Sequence, residues 1–148
     1  MSKVLQGEAL HSVDTKGRMI VPSKMRDLLG PSFVITKGMD KCLFIYPNDE
    51  WAVFEKKLQG LPMINKKARE FVRHFNGSAT ECEVDNQGRV LIPAGLREFA
   101  GITKDVKILG MIDHAEIWSK ELWDELNNPD DFDFEGLATD LQDMGISI

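Results

Sequence analysis

The segment VDTKGRMIVPSKMR, Val13 to Arg26, returns as VDNQGRVLIPAGLR, Val84 to Arg97. Nothing else in the chain restricts its fold as much, because a doubled unit must pair its strands and bury its apolar face twice in the same way. Aligning Asp14 with Asp85 matches Gly17 with Gly88, Arg18 with Arg89, Pro22 with Pro93, Arg26 with Arg97 and Gly30 with Gly101. One inserted residue later the correspondence resumes at Gly38/Gly110, Ile45/Ile117, Tyr46/Trp118 and Trp51/Trp123. An internal duplication of about 50 residues follows, and two copies suit a pseudo-symmetric pair, since a solenoid needs at least ~3.

Each copy opens as a hairpin. The alternation in HSVDTKGRMIVP runs into a turn and out again, with Asp at the first turn position and Gly where the backbone needs positive φ. Pro22 and Pro93 end the outgoing strands and suit the start of a short helix, which Gly30 and Gly101 close. Strands are expected in FVITKG, CLFIYP, VKILGM and AEIWS, and helices in NDEWAVFEKKL and KELWDELN, the latter capped by Ser119. Ala68, Phe71, Val72 and Phe75 recur at helical spacing behind the candidate cap Asn65. The expected organisation is a first repeat at 4–60, a connecting amphipathic helix at 61–77, a second repeat at 78–128 and an acidic C-terminal segment at 129–148. Phe134, Leu137, Ala138 and Leu141 give that segment a weaker stripe, which has three possible fates: packing on the body, packing on a neighbouring subunit, or fraying.

Charge is distributed unevenly. The net charge is −6, yet residues 121–148 hold nine acidic side chains and no Lys or Arg. Residues 1–120 therefore carry 18 basic against 15 acidic groups, a net of +3, so the overall acidity does not exclude a nucleic-acid partner. No apolar run approaches the ~20 residues of a membrane span and no signal-peptide layout stands at the N-terminus, so a cytoplasmic protein without a membrane partner is expected. Cys42 and Cys82 lack metal-ligand spacing and are expected as buried, reduced thiols.

Catalysis has no pattern to rest on. The sequence contains no phosphate-binding Gly-rich loop, no H-E-x-x-H and no Cys/His cluster, and His11, His74 and His114 are scattered. No enzyme activity, cofactor or metal is expected. Asp14 and Asp85 each have a local role, capping turn amides. Arg18 and Arg89 follow a glycine at a hairpin tip, where a planar five-donor fork can meet phosphate or guanine edges. The alternative for each is a pair with its own turn aspartate, fastening the hairpin. Arg26 and Arg97, on the short helices, offer either a phosphate contact or an intramolecular ion pair. Lys66, Lys67, Arg69 and Arg73 read as a solvated helix face.

The doubled D-x-x-G-R motif with its downstream proline and arginine, together with GMDKCLFIYPNDEW and GSATECEVD, resembles the MraZ family of bacterial transcriptional regulators over about residues 4–145. The resemblance implies an α+β, mainly β fold with short helices: two tandem swapped-hairpin AbrB-like repeats forming a pseudo-dimeric double-split β-barrel flanked by helices. It implies sequence-specific DNA binding through the D-x-x-x-R loops to short tandem G-rich repeats upstream of the protein's own division and cell-wall gene cluster. Regulation there, by repression, and assembly into a ring-shaped, nucleoid-associated homo-oligomer come with it. On this sequence the DNA contact falls to Arg18 and Arg89, and loop positioning to Asp14, Gly17, Asp85 and Gly88. The first copy has Lys16 and Lys24 where the second has Gln87 and Gly95, which marks the first as the more strongly DNA-facing copy and adds both lysines to the expected contacts. The rival expectation is an antitoxin-like interaction module or scaffold of the same fold, acting through its tail on a partner protein.

Overall fold

The computed structural model describes residues 4–147. The first repeat supplies β1 (Glu8–Ser12), β2 (Arg18–Ile20), a 3-10 turn (Ser23–Met25), α1 (Arg26–Leu29), β3 (Ser32–Lys37), β4 (Leu43–Pro47) and α2 (Asn48–Gln59). After α3 (Lys66–Phe75) the pattern repeats as β5 (Thr80–Glu83), β6 (Arg89–Leu91), α4 (Ala94–Ala100), β7 (Asp105–Gly110), β8 (Ala115–Ser119) and α5 (Lys120–Leu126). A 3-10 turn (Pro129–Asp131) and α6 (Phe134–Asp143) end the described chain.

The repeats are built out of each other. Six antiparallel strands form one sheet in the order β1-β7-β8-β4-β3-β5, and β2 pairs with β6 in a separate ribbon. Thus β1 lies on β7 of the second repeat while β5 lies on β3 of the first, an exchange of hairpins between copies. Single bridges, Val13–Met19 and Val84–Val90, tie the ribbon to the two edge strands. The register is symmetric. In the ribbon Met19 faces its counterpart Val90, flanked by the pairs Arg18–Leu91 and Ile20–Arg89. In the sheet centre Leu43–Ile117 and Ile45–Ala115 flank Phe44–Glu116, so a pseudo-two-fold axis runs through both elements.

Packing explains why the central strands read as continuous apolar runs. One face of the sheet, with Phe33, Ile35, Leu43, Ile45, Ile108 and Ile117, closes against Met19 and Val90 of the ribbon in the main core. The other face, with Val34, Phe44, Tyr46 and Trp118, is covered by Trp51 and Leu58 of α2, Phe75 of α3 and, partly, Trp123 of α5. Strands covered on both sides lose the polar alternation of a half-solvated sheet. Each fully buried side chain of this size contributes about 1.5–3 kcal/mol.

The helices start and stop where their sequence dictates. Asn65 accepts from the Ala68 amide and Ser119 from the Leu122 amide, the two expected caps. Asp49 and Glu50 open α2 while Lys56 and Lys57 close it, which complements its dipole. Thr36, fully buried in β3, donates through Oγ1 to the Phe75 carbonyl at 2.6 Å and so anchors the end of α3 to the sheet. Both cysteines are buried free thiols; burial pushes Cys82 up to about 11 and Cys42 well above that. The tail helix α6, capped by Asp133 on the Gly136 amide, leaves Phe132, Phe134, Leu137 and Met144 exposed. Of that stripe Phe134 and Leu137 are exposed and Ala138 and Leu141 half-buried, so no residue of it is fully buried on the body.

Candidate nucleic-acid interface

The two D-x-x-x-R loops are built by one local rule. Asp14 Oδ1 accepts from the amides of Lys16 and Arg18, each at 2.9 Å, and Oδ2 accepts from Arg18 Nε at 2.9 Å. Gly17 donates its N–H to the Asp14 carbonyl at 2.9 Å with φ of +88°, a left-handed conformation that a Cβ would strain. The second loop repeats this: Asp85 Oδ1 takes the amides of Gln87 and Arg89, Oδ2 takes Arg89 Nε, all at 2.9 Å, and Gly88 has φ of +78°. An aspartate two residues before a turn amide and four before an arginine is all this geometry needs. The amide of Arg18, and in the other loop that of Arg89, is the chief cause holding the aspartate below its usual carboxylate value.

The alternative pairs, Asp14–Arg18 and Asp85–Arg89, do form, but each commits only one edge of the guanidinium. Among the described residues the Nη groups of Arg18 and Arg89 have no hydrogen-bond partner. The side chains keep 31% and 27% of their surface in solvent, enough for a fork held in place by its stem to meet a ligand. Strand alternation puts both arginines on the outer face of the ribbon, opposite the buried Met19 and Val90. That face also carries Ile20 and Leu91, 48% and 55% exposed. Their exposure was not readable from RMIVP and RVLIP, where every residue after the arginine is apolar; the pairing of β2 with β6 chooses which side is buried.

Lys16 is exposed at the tip of the first loop, where the second has Gln87. Lys24 is exposed on the 3-10 turn, its ammonium beside Gly7 ahead of β1. Among the described residues, Arg26 and Arg97 form no intramolecular ion pair. In place of an ion pair, Arg26 Nε donates to the Val21 carbonyl at 3.1 Å and Arg97 Nε to the Ile92 carbonyl at 2.9 Å. Each guanidinium then reaches over the glycine of the other repeat's loop, Arg26 at Gly88 and Arg97 at Gly17. Among the described residues, no group of three or more His, Cys, Asp or Glu side chains is arranged to hold a metal ion. None of their helices is long and apolar enough to cross a membrane.

Fold and loops together define a class, the internally duplicated, hairpin-exchanged α+β proteins. Comparison with known proteins narrows it. The family described as "MraZ protein, putative antitoxin-like" matches twice, over residues 4–74 and 75–144. A protein named transcriptional regulator MraZ from a Thermoanaerobacter species is 51% identical over 143 residues, 97% of this chain and 100% of its own. Its namesake from Clostridium beijerinckii is 53% identical over 140 residues, 95% of this chain and 98% of its own. Another, from Desulfitobacterium hafniense, is 48% identical over 143 residues, 97% of this chain and 100% of its own. The chain belongs to the MraZ family.

Proposed function

We propose that this protein is a transcriptional regulator that reads double-stranded DNA through the Asp14–Arg18 and Asp85–Arg89 loops. The observation that carries the reading is the half-committed guanidinium: the local aspartate holds Nε and leaves the Nη groups of Arg18 and Arg89 to a ligand. Planar Arg forks pair bidentately with guanine O6 and N7, and a two-stranded ribbon is one of the elements that fit the major groove. Ile20 and Leu91, beside the arginines, suit apolar contact with thymine methyl groups. The names of the relatives support the regulatory part of the reading.

In this reading the targets are short tandem G-rich repeats at the promoter of the protein's own division and cell-wall gene cluster, which it represses in the cytoplasm at the nucleoid. A ring-shaped homo-oligomer sets several copies of the loops along the repeats, and multivalency raises a weak single-site affinity. Lys16 and Lys24 make the first repeat the stronger contact, with a body of net charge +3 adding little non-specific attraction.

Fluorescence anisotropy on duplexes from that promoter, across salt, tests this with Arg18→Ala and Arg89→Ala. The expected result is specific binding that Arg18→Ala abolishes and Arg89→Ala weakens, with a salt slope of roughly −0.9 per neutralised phosphate. Equal binding to random DNA, or indifference to both substitutions, would remove the loops from the DNA interface. A second reading draws on the exposed Phe132, Phe134, Leu137 and Met144, which suit an antitoxin-like contact with a partner protein. Deleting residues 130–148 separates the two, since DNA binding through the loops survives the deletion and a tail-borne interaction does not.

A further inference from the structure

The DNA reading leaves Arg26 and Arg97 without a task, although they occupy equivalent, unusual positions. A Cβ on Gly17 would stand 2.7 Å from Arg97 Cζ and 2.8 Å from its Nε. A Cβ on Gly88 would stand 2.6 Å from Arg26 Nη2 and 2.9 Å from its Cζ. Each guanidinium thus fills the space a side chain on the opposite loop would need. A backbone bond accompanies each contact: Ile92 N–H donates to the Gly17 carbonyl, and Val21 N–H to the Gly88 carbonyl, both at 2.9 Å. The bonds close two small circuits. Ile92 gives its N–H to Gly17 and takes Arg97 Nε on its carbonyl, while the same arginine covers Gly17; Val21, Gly88 and Arg26 do the same in mirror fashion.

We propose that Arg97 positions the Asp14–Arg18 loop and Arg26 positions the Asp85–Arg89 loop, so that each repeat holds the other's DNA-contacting element in place. The proposal rests on the reading of those loops as the DNA contact. Arg suits the task because its Nε–H lies in the plane of the guanidinium, so one planar group can donate to a carbonyl and cover a glycine at once. Lys has no Nε–H and a tetrahedral head, and cannot do both. Gly17 and Gly88 are accordingly needed twice, for their positive φ and for the bare Cα surface that receives the guanidinium. Loosening either arginine then loosens the loop it does not share a repeat with and leaves the loop of its own repeat in place.

The test uses the full chain. In the wild type, nuclear Overhauser contacts are expected between Gly17 Hα and Arg97 Hδ and Hε, and between Gly88 Hα and the guanidinium protons of Arg26; absence of the Gly17–Arg97 contacts overturns the proposal without any variant. In amide spectra Arg97→Lys should move Lys16, Gly17 and Arg18 and leave Gln87, Gly88 and Arg89 in place, and Arg26→Lys should do the reverse. Shifts confined to each variant's own loop, or spread equally over both, would also overturn it. Arg97→Gln should lower DNA affinity roughly 3- to 20-fold with the salt slope unchanged, and should keep its full effect beside Arg89→Ala, whereas Arg26→Gln should add nothing in that background. A slope reduced by about one charge would make Arg97 a phosphate contact instead of a positioning residue. If Arg18→Ala and Arg89→Ala both leave DNA binding intact, the DNA reading falls, and the Overhauser contacts and crossed shifts still decide whether the arginines position the loops.

Discussion

Arg97 of the second repeat occupies the space that a side chain on Gly17 of the first would fill, a Cβ there standing 2.7 Å from its Cζ. The matching relationship joins Arg26 to Gly88, so neither loop is completed by its own repeat. Glycine at these two places answers a tertiary demand as well as a turn.

Replacing Gly17 by Ala therefore meets two obstacles, the positive φ and the displaced guanidinium. Urea denaturation should show a loss of about 1–2 kcal/mol from the backbone conformation. Gly95→Ala is the contrast. Gly95 lies in α4 with no atom within 4 Å of the position its Cβ would take, and it should gain about 0.5–1 kcal/mol from the better helix former.

Thr36→Val keeps the shape of the buried site and removes the hydroxyl that donates to the Phe75 carbonyl. The Phe75 carbonyl keeps only the long Ser78 Oγ contact at 3.5 Å and Ser78 Oγ loses its 2.9 Å contact with Thr36, which should cost about 1–3 kcal/mol, read as a lower urea midpoint with an unchanged slope.

The turn aspartates set a pH limit. Their values in the folded protein lie below the ordinary 3.8, chiefly through the Arg18 and Arg89 amides, so the carboxylates are worth more in the folded state than in the unfolded one. Their contribution is complete above that ordinary value and disappears as the pH falls through the lower folded value. Amide shifts of Lys16, Arg18, Gln87 and Arg89 followed during acidification should show midpoints below 3.8, with both loops intact at pH 5. Midpoints at or above 3.8 would contradict the bonding described for Oδ1.

Ile20→Ala and Leu91→Ala test the outer ribbon face. Both residues are largely exposed, so stability should stay within about 0.5 kcal/mol of the wild type. Affinity for the promoter duplex should nonetheless fall several-fold with no change in salt slope, because apolar contacts displace no counterions. Unchanged affinity would place the ribbon face outside the DNA interface.

Short-range chemistry was legible. Asp14, Gly17 and Arg18 interact within five residues, so the turn, its amide-capping aspartate and the pair across it can be read from the order of side chains, and the second copy confirms the rule. The helix caps Asn65 and Ser119 are equally local. The duplication likewise announced a pseudo-two-fold pair, which the Met19–Val90 and Phe44–Glu116 registers display.

What the sequence determined by itself is thus the doubled unit, its turns and the alternation of its strands, because backbone torsions and hydrogen bonds between near neighbours settle them. Only the tertiary structure decided that β1 pairs with β7 and β5 with β3, that Ile20 and Leu91 face outward, and that Arg26 and Arg97 serve the opposite loops. Apolar burial is non-directional: it requires that a strand be covered but does not name its partner. That choice is made where two distant segments share one core, and there the hairpins of the two repeats are exchanged.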